Sequence, residues 1–187
     1  MTILPGRSFS LAAMPSIRPL RPADIPAVLD LQAANYPAEL LEDHAFYANR
    51  LALAPEHCWA AADAEGRLRG YLIGYPWDDG LPPVLGARLE RLPERASTWF
   101  LHDCAVHPDA QGQGVAGRLY RHAQGQARRA RLPQGRLVSL PGAIGYWQRH
   151  LYRPVPADAA LTAKLAGYGA GACLMQRSLE VPLGERT

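Results

Sequence analysis

The spacing of apolar positions changes along this chain, and each change marks an element. The segment "SIRPLRPADIPAVLDLQ" opens with a short strand near Ile17 to Leu20. Ile25, Val28, Leu29 and Gln32 then share one helical face, with Asp24 as N-cap and Pro26 in the first turn, where its missing N–H does little harm. Leu40, Leu41, His44, Ala48 and Leu51 recur at three- and four-residue steps, so a second helix is expected from Glu39 to Leu53, ended by Pro55. "HCWAAADAEGRLRGYLIGYPW" reads as two strands around a turn at Asp63 to Gly66, and Pro76 stops the second. The stretch from Asp78 to Arg95 is rich in Pro, Gly and Arg and reads as an irregular excursion. "STWFLHDCAV" is the next strand. After a glycine-rich turn, Val115, Leu119, Ala123, Ala127 and Ala130 form one apolar helical stripe. "GRLVSL", "AIGYWQRHLY" and "GACLMQRSL" follow as strand, short helix and last strand.

Hairpins imply antiparallel pairing, whereas the strand–turn–helix–strand unit implies one parallel pair. The expected fold is therefore α/β in the mixed α+β sense. Its sheet is largely antiparallel with one parallel pair, and helices lie on both faces. With 187 residues and no repeat or linker, residues 14–187 read as a single domain. Residues 1–13 carry one charge and neither periodicity nor a cap, and they are expected to be a disordered extension.

Composition narrows the function classes. A net charge of +3 does not argue for nucleic acid, and no run of about 18 apolar residues suggests a membrane span. Cys58, Cys104 and Cys173 are far apart and odd in number, with no CxxC pair. They read as reduced thiols of a cytoplasmic protein, with no metal site.

The densest chemical signal is "AVHPDAQGQGVAGRLY", Ala105 to Tyr120. Glycine weakens helices, yet here it crowds a helix entrance. A strand, a glycine turn and a helix N-terminus together make an anion site, because free N–H groups and the helix dipole face outward. A P-loop would need a lysine after the glycines, and none is present. Gly112, Gly114 and Gly117 have the bare dinucleotide spacing, but Arg136 and Leu137 stand where a ribose-binding acid is wanted. A plain tight turn is the remaining alternative.

Val106, Pro108, Gln111, Gly112, Gly114 and Ala116 together resemble the acetyl-CoA signature of the GNAT acetyltransferases, in which Arg or Gln precedes G-x-G/A after a V-x-P strand end. The element order from Ile17 to Leu179 is similar to that family as well. The resemblance implies the GNAT acyl-CoA N-acyltransferase fold, with its parallel strand pair splayed. It implies that the pyrophosphate of acetyl-CoA lies on the segment Gln111, Gly112, Gln113, Gly114, Val115 and Ala116. Pantetheine would bond the Cys104 and Val106 backbone, and the acetyl group would lie where that strand parts from Leu137–Leu140. A possible homodimer is a further implication.

Acetyl transfer to an amine needs a proton acceptor for the amine and a proton donor for the leaving thiolate. Strand alternation puts His102, Cys104 and Val106 on one face and Asp103 on the other. His102 matches a position where some family members carry a carboxylate base. It reads either as the base or as a histidine bonded within the cleft for structural reasons. The family's tyrosine acid aligns with Trp147, which reads as part of the cofactor site, since an indole is no such acid. Tyr146 is the neighbouring candidate acid if the helix is rotated or shifted, and Tyr168 has a weaker claim. Glu39, Glu42 and Asp43 read as acids favoured in a first helical turn, with an acidic rim for a cationic substrate as the alternative. The arginines from Arg118 to Arg131 read as a solvated basic face, or as one contact to the CoA 3′-phosphate. The expected activity is N-acetyl transfer to an amine-bearing small molecule or a protein lysine or N-terminus. The alternative is a catalytically weak or silent acyl-CoA-binding module.

Overall fold

The computed structural model describes residues 14–180. The expected extension over residues 1–13 lies outside the described residues. Strand β1 (Ser16–Pro19) leads into α1 (Ile25–Ala33) and α2 (His44–Leu53). The hairpin β2 (Cys58–Ala62) and β3 (Leu68–Trp77) follows, then the irregular excursion and β4 (Thr98–Val106). Next come α3 (Val115–Arg129), β5 (Gln134–Ser139), α4 (Ile144–Arg149), β6 (Arg153–Pro154), α5 (Ala159–Leu165) and β7 (Cys173–Ser178). The seven strands form one sheet in the order β1-β2-β3-β4-β5-β7-β6. Every pairing is antiparallel except β4 with β5. The expected mixed architecture is present; β6 and α5 are additions to the sequence-derived order.

The sheet separates two cores. On one side Ile25 and Val28 of α1, Phe46 and Tyr47 of α2 and Leu161 of α5 pack on Tyr71, Ile73 and Tyr75. On the other, Val115, Leu119, Ala123 and Ala127 of α3 and Trp147 of α4 pack on Leu72, Trp99 and Leu101. The α3 stripe is thus the buried face that its periodicity predicted.

Helix α2 begins later than expected. Residues Ala38–Leu40 form a 3-10 turn, and the Asp43 side chain accepts from the Phe46 N–H as the N-cap. Capping by Asp43 starts the helix there, so Leu40 ends the turn and Leu41 and Glu42 lie in the short extended segment before the cap.

One irregularity in the sheet positions the site. Gly74 pairs with Leu101, but its neighbour Ile73 pairs with Asp103. His102 is therefore the extra residue of a bulge. At the same point Gly74 lies against the Trp99 indole, which is fully buried, and a Cβ there would run into the ring. Gly74→Ala should therefore lose about 1–3 kcal/mol through overpacking. A melting temperature lower by roughly 2–12 °C is expected for a domain of this size. Unchanged melting would show that the indole relocates freely.

Candidate active site

Strands β4 and β5 pair only at Thr98–Gln134, Trp99–Gly135 and Phe100–Arg136, then diverge. Beyond Phe100 the gap opens into a cavity of about 570 Å³, walled by Leu101–Val106 on one side and Leu137–Leu140 on the other. Turns from the helical layers close its ends: Tyr36, Leu40 and Glu42 near α1 and α2, Tyr146 and Trp147 on α4.

At one end stands the glycine turn. Gly112 and Gly114 have φ of 73° and 78°, a region that favours glycine, and Gly114 caps α3. A Cβ at either position would meet no protein atom within 4 Å, so the space above both is open. The first-turn N–H groups of α3, next to Gly114 in the chain, have no partner within the helix. The Gln111 N–H closes a 3-10 turn on the Pro108 carbonyl, and its side chain donates to Asn35 Oδ1 at 3.0 Å and to the Val106 carbonyl. The Gln113 side chain donates to the Asp109 carbonyl. Both glutamines brace the loop, so the open cradle is made by backbone from Gly112 onward, through Val115 and Ala116.

The bulge overturns the expected facing of β4. His102 and Asp103 both point to the α1/α2 side, while Cys104 and Val106 point to the α3 side. Simple alternation put His102 with Cys104; one extra residue breaks the period of two. Asp103 is held by the hydroxyls of Tyr36 at 2.7 Å, Tyr47 at 3.1 Å and Tyr71. Burial pushes its carboxyl up and these donors oppose the rise. These bonds anchor β4 to β3 and to the α1/α2 layer. Cys104 is raised to about 12 by burial and by Asp103, so its thiol stays protonated and unreactive.

His102 is bonded at both nitrogens. Nε2 lies 2.7 Å from Glu42 Oε2, and Nδ1 lies 3.2 Å from the Tyr75 hydroxyl. An ionised carboxylate only accepts, so Nε2 carries a proton and donates. Burial keeps Tyr75 protonated. Glu42 Oε1 also accepts from the Gly86 N–H at 2.8 Å, which ties the excursion to the site. Sequence reasoning missed this use of Glu42. The available signal was Asp43, whose spacing to Phe46 fits an N-cap and leaves Glu42 outside the helix.

On the far wall, the Tyr146 hydroxyl is buried and has no hydrogen-bond partner among the described residues. Burial, with Cys104 nearby, pushes it up to about 12. Trp147 packs between Tyr120 and Tyr152, each at 5.7 Å between ring centroids, and reaches the cavity only as part of that core. The structure thus brings the Tyr146 side chain, beside Trp147, to the wall that Cys104 shares. Tyr168 lines the opposite end and donates to the Pro83 carbonyl at 3.3 Å.

Comparison with known proteins agrees with this architecture. The model of the acetyltransferase (GNAT) family matches residues 25–151. No curated protein matches the sequence. Among solved structures, GphF, a GNAT-like decarboxylase in complex with isobutyryl-CoA, is similar with a TM-score of 0.74 at 17% identity, over 88% of this chain and 100% of that one. Ard1 from Thermoplasma volcanium gives 0.68 at 14% identity, over 89% and 98%. The ribosomal-protein-S18-alanine N-acetyltransferase from Escherichia coli gives 0.59 at 16% identity, over 93% and 99%.

Proposed function

The chain belongs to the GNAT acetyltransferase family, and on that premise we propose that it is a cytoplasmic N-acyltransferase moving acetyl from acetyl-CoA to a primary amine. The observation that carries this reading is the unpartnered Tyr146 hydroxyl in the wall of the splayed-strand cavity. A buried hydroxyl without a partner is costly, which argues that a ligand atom completes it. Bound acetyl-CoA supplies the activated acyl group. The open backbone cradle from Gly112 to Ala116 suits its pyrophosphate, and the unpaired reach of β4 through Cys104 and Val106 suits its extended arm. Tyr146 stands as the proton donor to the departing sulfur, with Trp147 packing behind it. His102 belongs to the deprotonating side of the cavity. Three free thiols fit a reducing compartment.

Two other readings are weaker. A silent acyl-CoA-binding module would follow from the indole of Trp147 standing in place of an acid, but Tyr146 beside it offers a hydroxyl in the same cavity. GphF is a GNAT-like decarboxylase, but the described residues lining this cavity include the carboxylates Glu42 and Asp103 and no Lys or Arg. That wall disfavours a carboxylated acyl group and suits a cation.

The test is free-thiol release from acetyl-CoA in the presence of a panel of primary amines, beside calorimetric binding of CoA. Amine-dependent thiol release is the expected result. CoA binding without release against any amine would return the protein to the binding-module reading, and no CoA binding would overturn both.

A further inference from the structure

We infer that Glu42 binds the acceptor's ammonium group and takes its proton, and that the acceptor is a primary monoamine with an apolar body. The inference rests on the acyltransferase reading and adds the residue and the substrate class.

The argument begins with acceptor capacity. A carboxylate offers about four acceptor sites, and Glu42 uses two, for His102 and the Gly86 N–H. His102 has no site left, since both nitrogens are bonded. Asp103 has three hydroxyls on it and keeps at most one site. Glu42 is the carboxylate in the cavity with the larger spare capacity, about two sites, although its side chain is only 4% exposed. It is also rigidly placed. Its backbone N–H bonds Gln32 Oε1, and its carbonyl accepts from Gln32 Nε2. His102 and Tyr75 are then positioning residues that aim the carboxylate.

The surroundings define the rest of the acceptor. Leu40, Leu85, Tyr36 and Tyr168 line the cavity around Glu42 and leave mostly apolar wall. One available acid in such a wall selects one positive charge on an apolar body. A polyamine would leave its further charges unpaired at a large desolvation cost.

The step balances as follows. The ammonium gives one proton to Glu42, which passes it to solvent. The free amine nitrogen bonds the thioester carbonyl carbon as the carbon–sulfur bond breaks. Tyr146 protonates the sulfur and regains the second proton from the nitrogen. The products are the amide, the free CoA thiol and one released proton.

The titratable groups facing Glu42 are His102 and Asp103 on β4, Tyr75 on β3, Tyr47 on α2 and Tyr168 after α5, and Arg50 of α2 lies beyond them, beside Tyr75 and Tyr168. A pH profile must therefore be read with variants that separate them. With acetyl-CoA, phenethylamine and hexylamine should exceed spermidine in kcat/KM by at least about tenfold. Glu42→Gln should lower kcat/KM about 10²-fold. Its rate should then climb with pH towards the amine's own pKa near 10, because only the free base reacts. CoA affinity should not move. His102→Gln should lose less and keep the acidic limb, since Glu42 remains.

Phenethylamine binding to the CoA-loaded protein, measured by calorimetry, gives a readout apart from turnover, and Glu42→Gln should abolish it. Binding without turnover would uphold the amine site and overturn the transfer chemistry. Near-normal kcat/KM with an unchanged profile in folded Glu42→Gln, or a preference for spermidine, would overturn the inference while the acyltransferase reading stands. If Glu42→Gln fails to fold, His102→Gln decides. Loss of the acidic limb there assigns the proton to His102 and overturns the role of Glu42.

Discussion

Tyr146→Phe should lower kcat by about 10²-fold or more while acetyl-CoA affinity stays within twofold of the starting protein. The substitution removes one oxygen and keeps the ring. The packing of that ring on Trp147, at 4.9 Å between centroids and nearly perpendicular, is retained. Because the hydroxyl is buried with no partner, its removal should leave the melting temperature unchanged or slightly raised. Undiminished stability with lost turnover is the signature of a group kept for chemistry. A tyrosine pushed up to about 12 stays protonated across the working range, so it contributes no basic limb below about pH 11. Trp147→Phe should behave oppositely, losing stability because the indole fills the core between Tyr120 and Tyr152. A Tyr146→Phe enzyme with normal kcat would remove this residue from the mechanism.

Gly114→Val, and equally Gly112→Val, should weaken CoA by more than tenfold, or at least about 1.4 kcal/mol. Two effects combine and are measured separately. The positive φ of 78° or 73° is strained for a branched residue by about 1–2 kcal/mol, which a melting experiment reads. The new side chain finds no protein atom within 4 Å of its Cβ, so the fold itself has room for it. It occupies the space that a phosphate on the first-turn N–H groups of α3 would need. A folded variant with unchanged CoA affinity by calorimetry would sink the cradle assignment.

Much of this was written in local patterns. The alternation and turn residues of β2 and β3, the α3 stripe and the glycines at its entrance are short-range signals, and they set the sheet, the helix and the cradle. What escaped depended on single-residue offsets. The β4 bulge leaves no trace in "WFLHDCAV", because an apolar–polar pattern looks alike with or without one residue slipped. Aligning the helix end places the family's tyrosine on Trp147, with Tyr146 as the neighbouring candidate; the two are adjacent on a six-residue helix, where a shift of one residue exchanges them. Glu42 was read as a first-turn acid because Leu40 and Leu41 mimic helical spacing. Asp43 as cap instead leaves the acid in the short segment before the helix, where its side chain is buried. The partners of His102 come from β3 and from the segment before α2, and no window of sequence joins them.

The excursion from Asp78 to Arg95 adds Leu85 to the cavity wall, and the manner of its attachment bears on how the cavity can vary. The Asn49 side chain grips both the carbonyl and the N–H of Leu89, Arg50 donates to the Ala87 carbonyl, and Glu42 accepts from the Gly86 N–H. Each of these clasps lands on main chain and is indifferent to the side chain it carries. Leu85, the one residue of the excursion among the described residues that line the cavity, is thus free to change without loosening the loop. On the proposed reading, substitutions there would alter which acceptors fit while Glu42 and His102 stay in place, so selectivity would be inherited loosely and chemistry tightly.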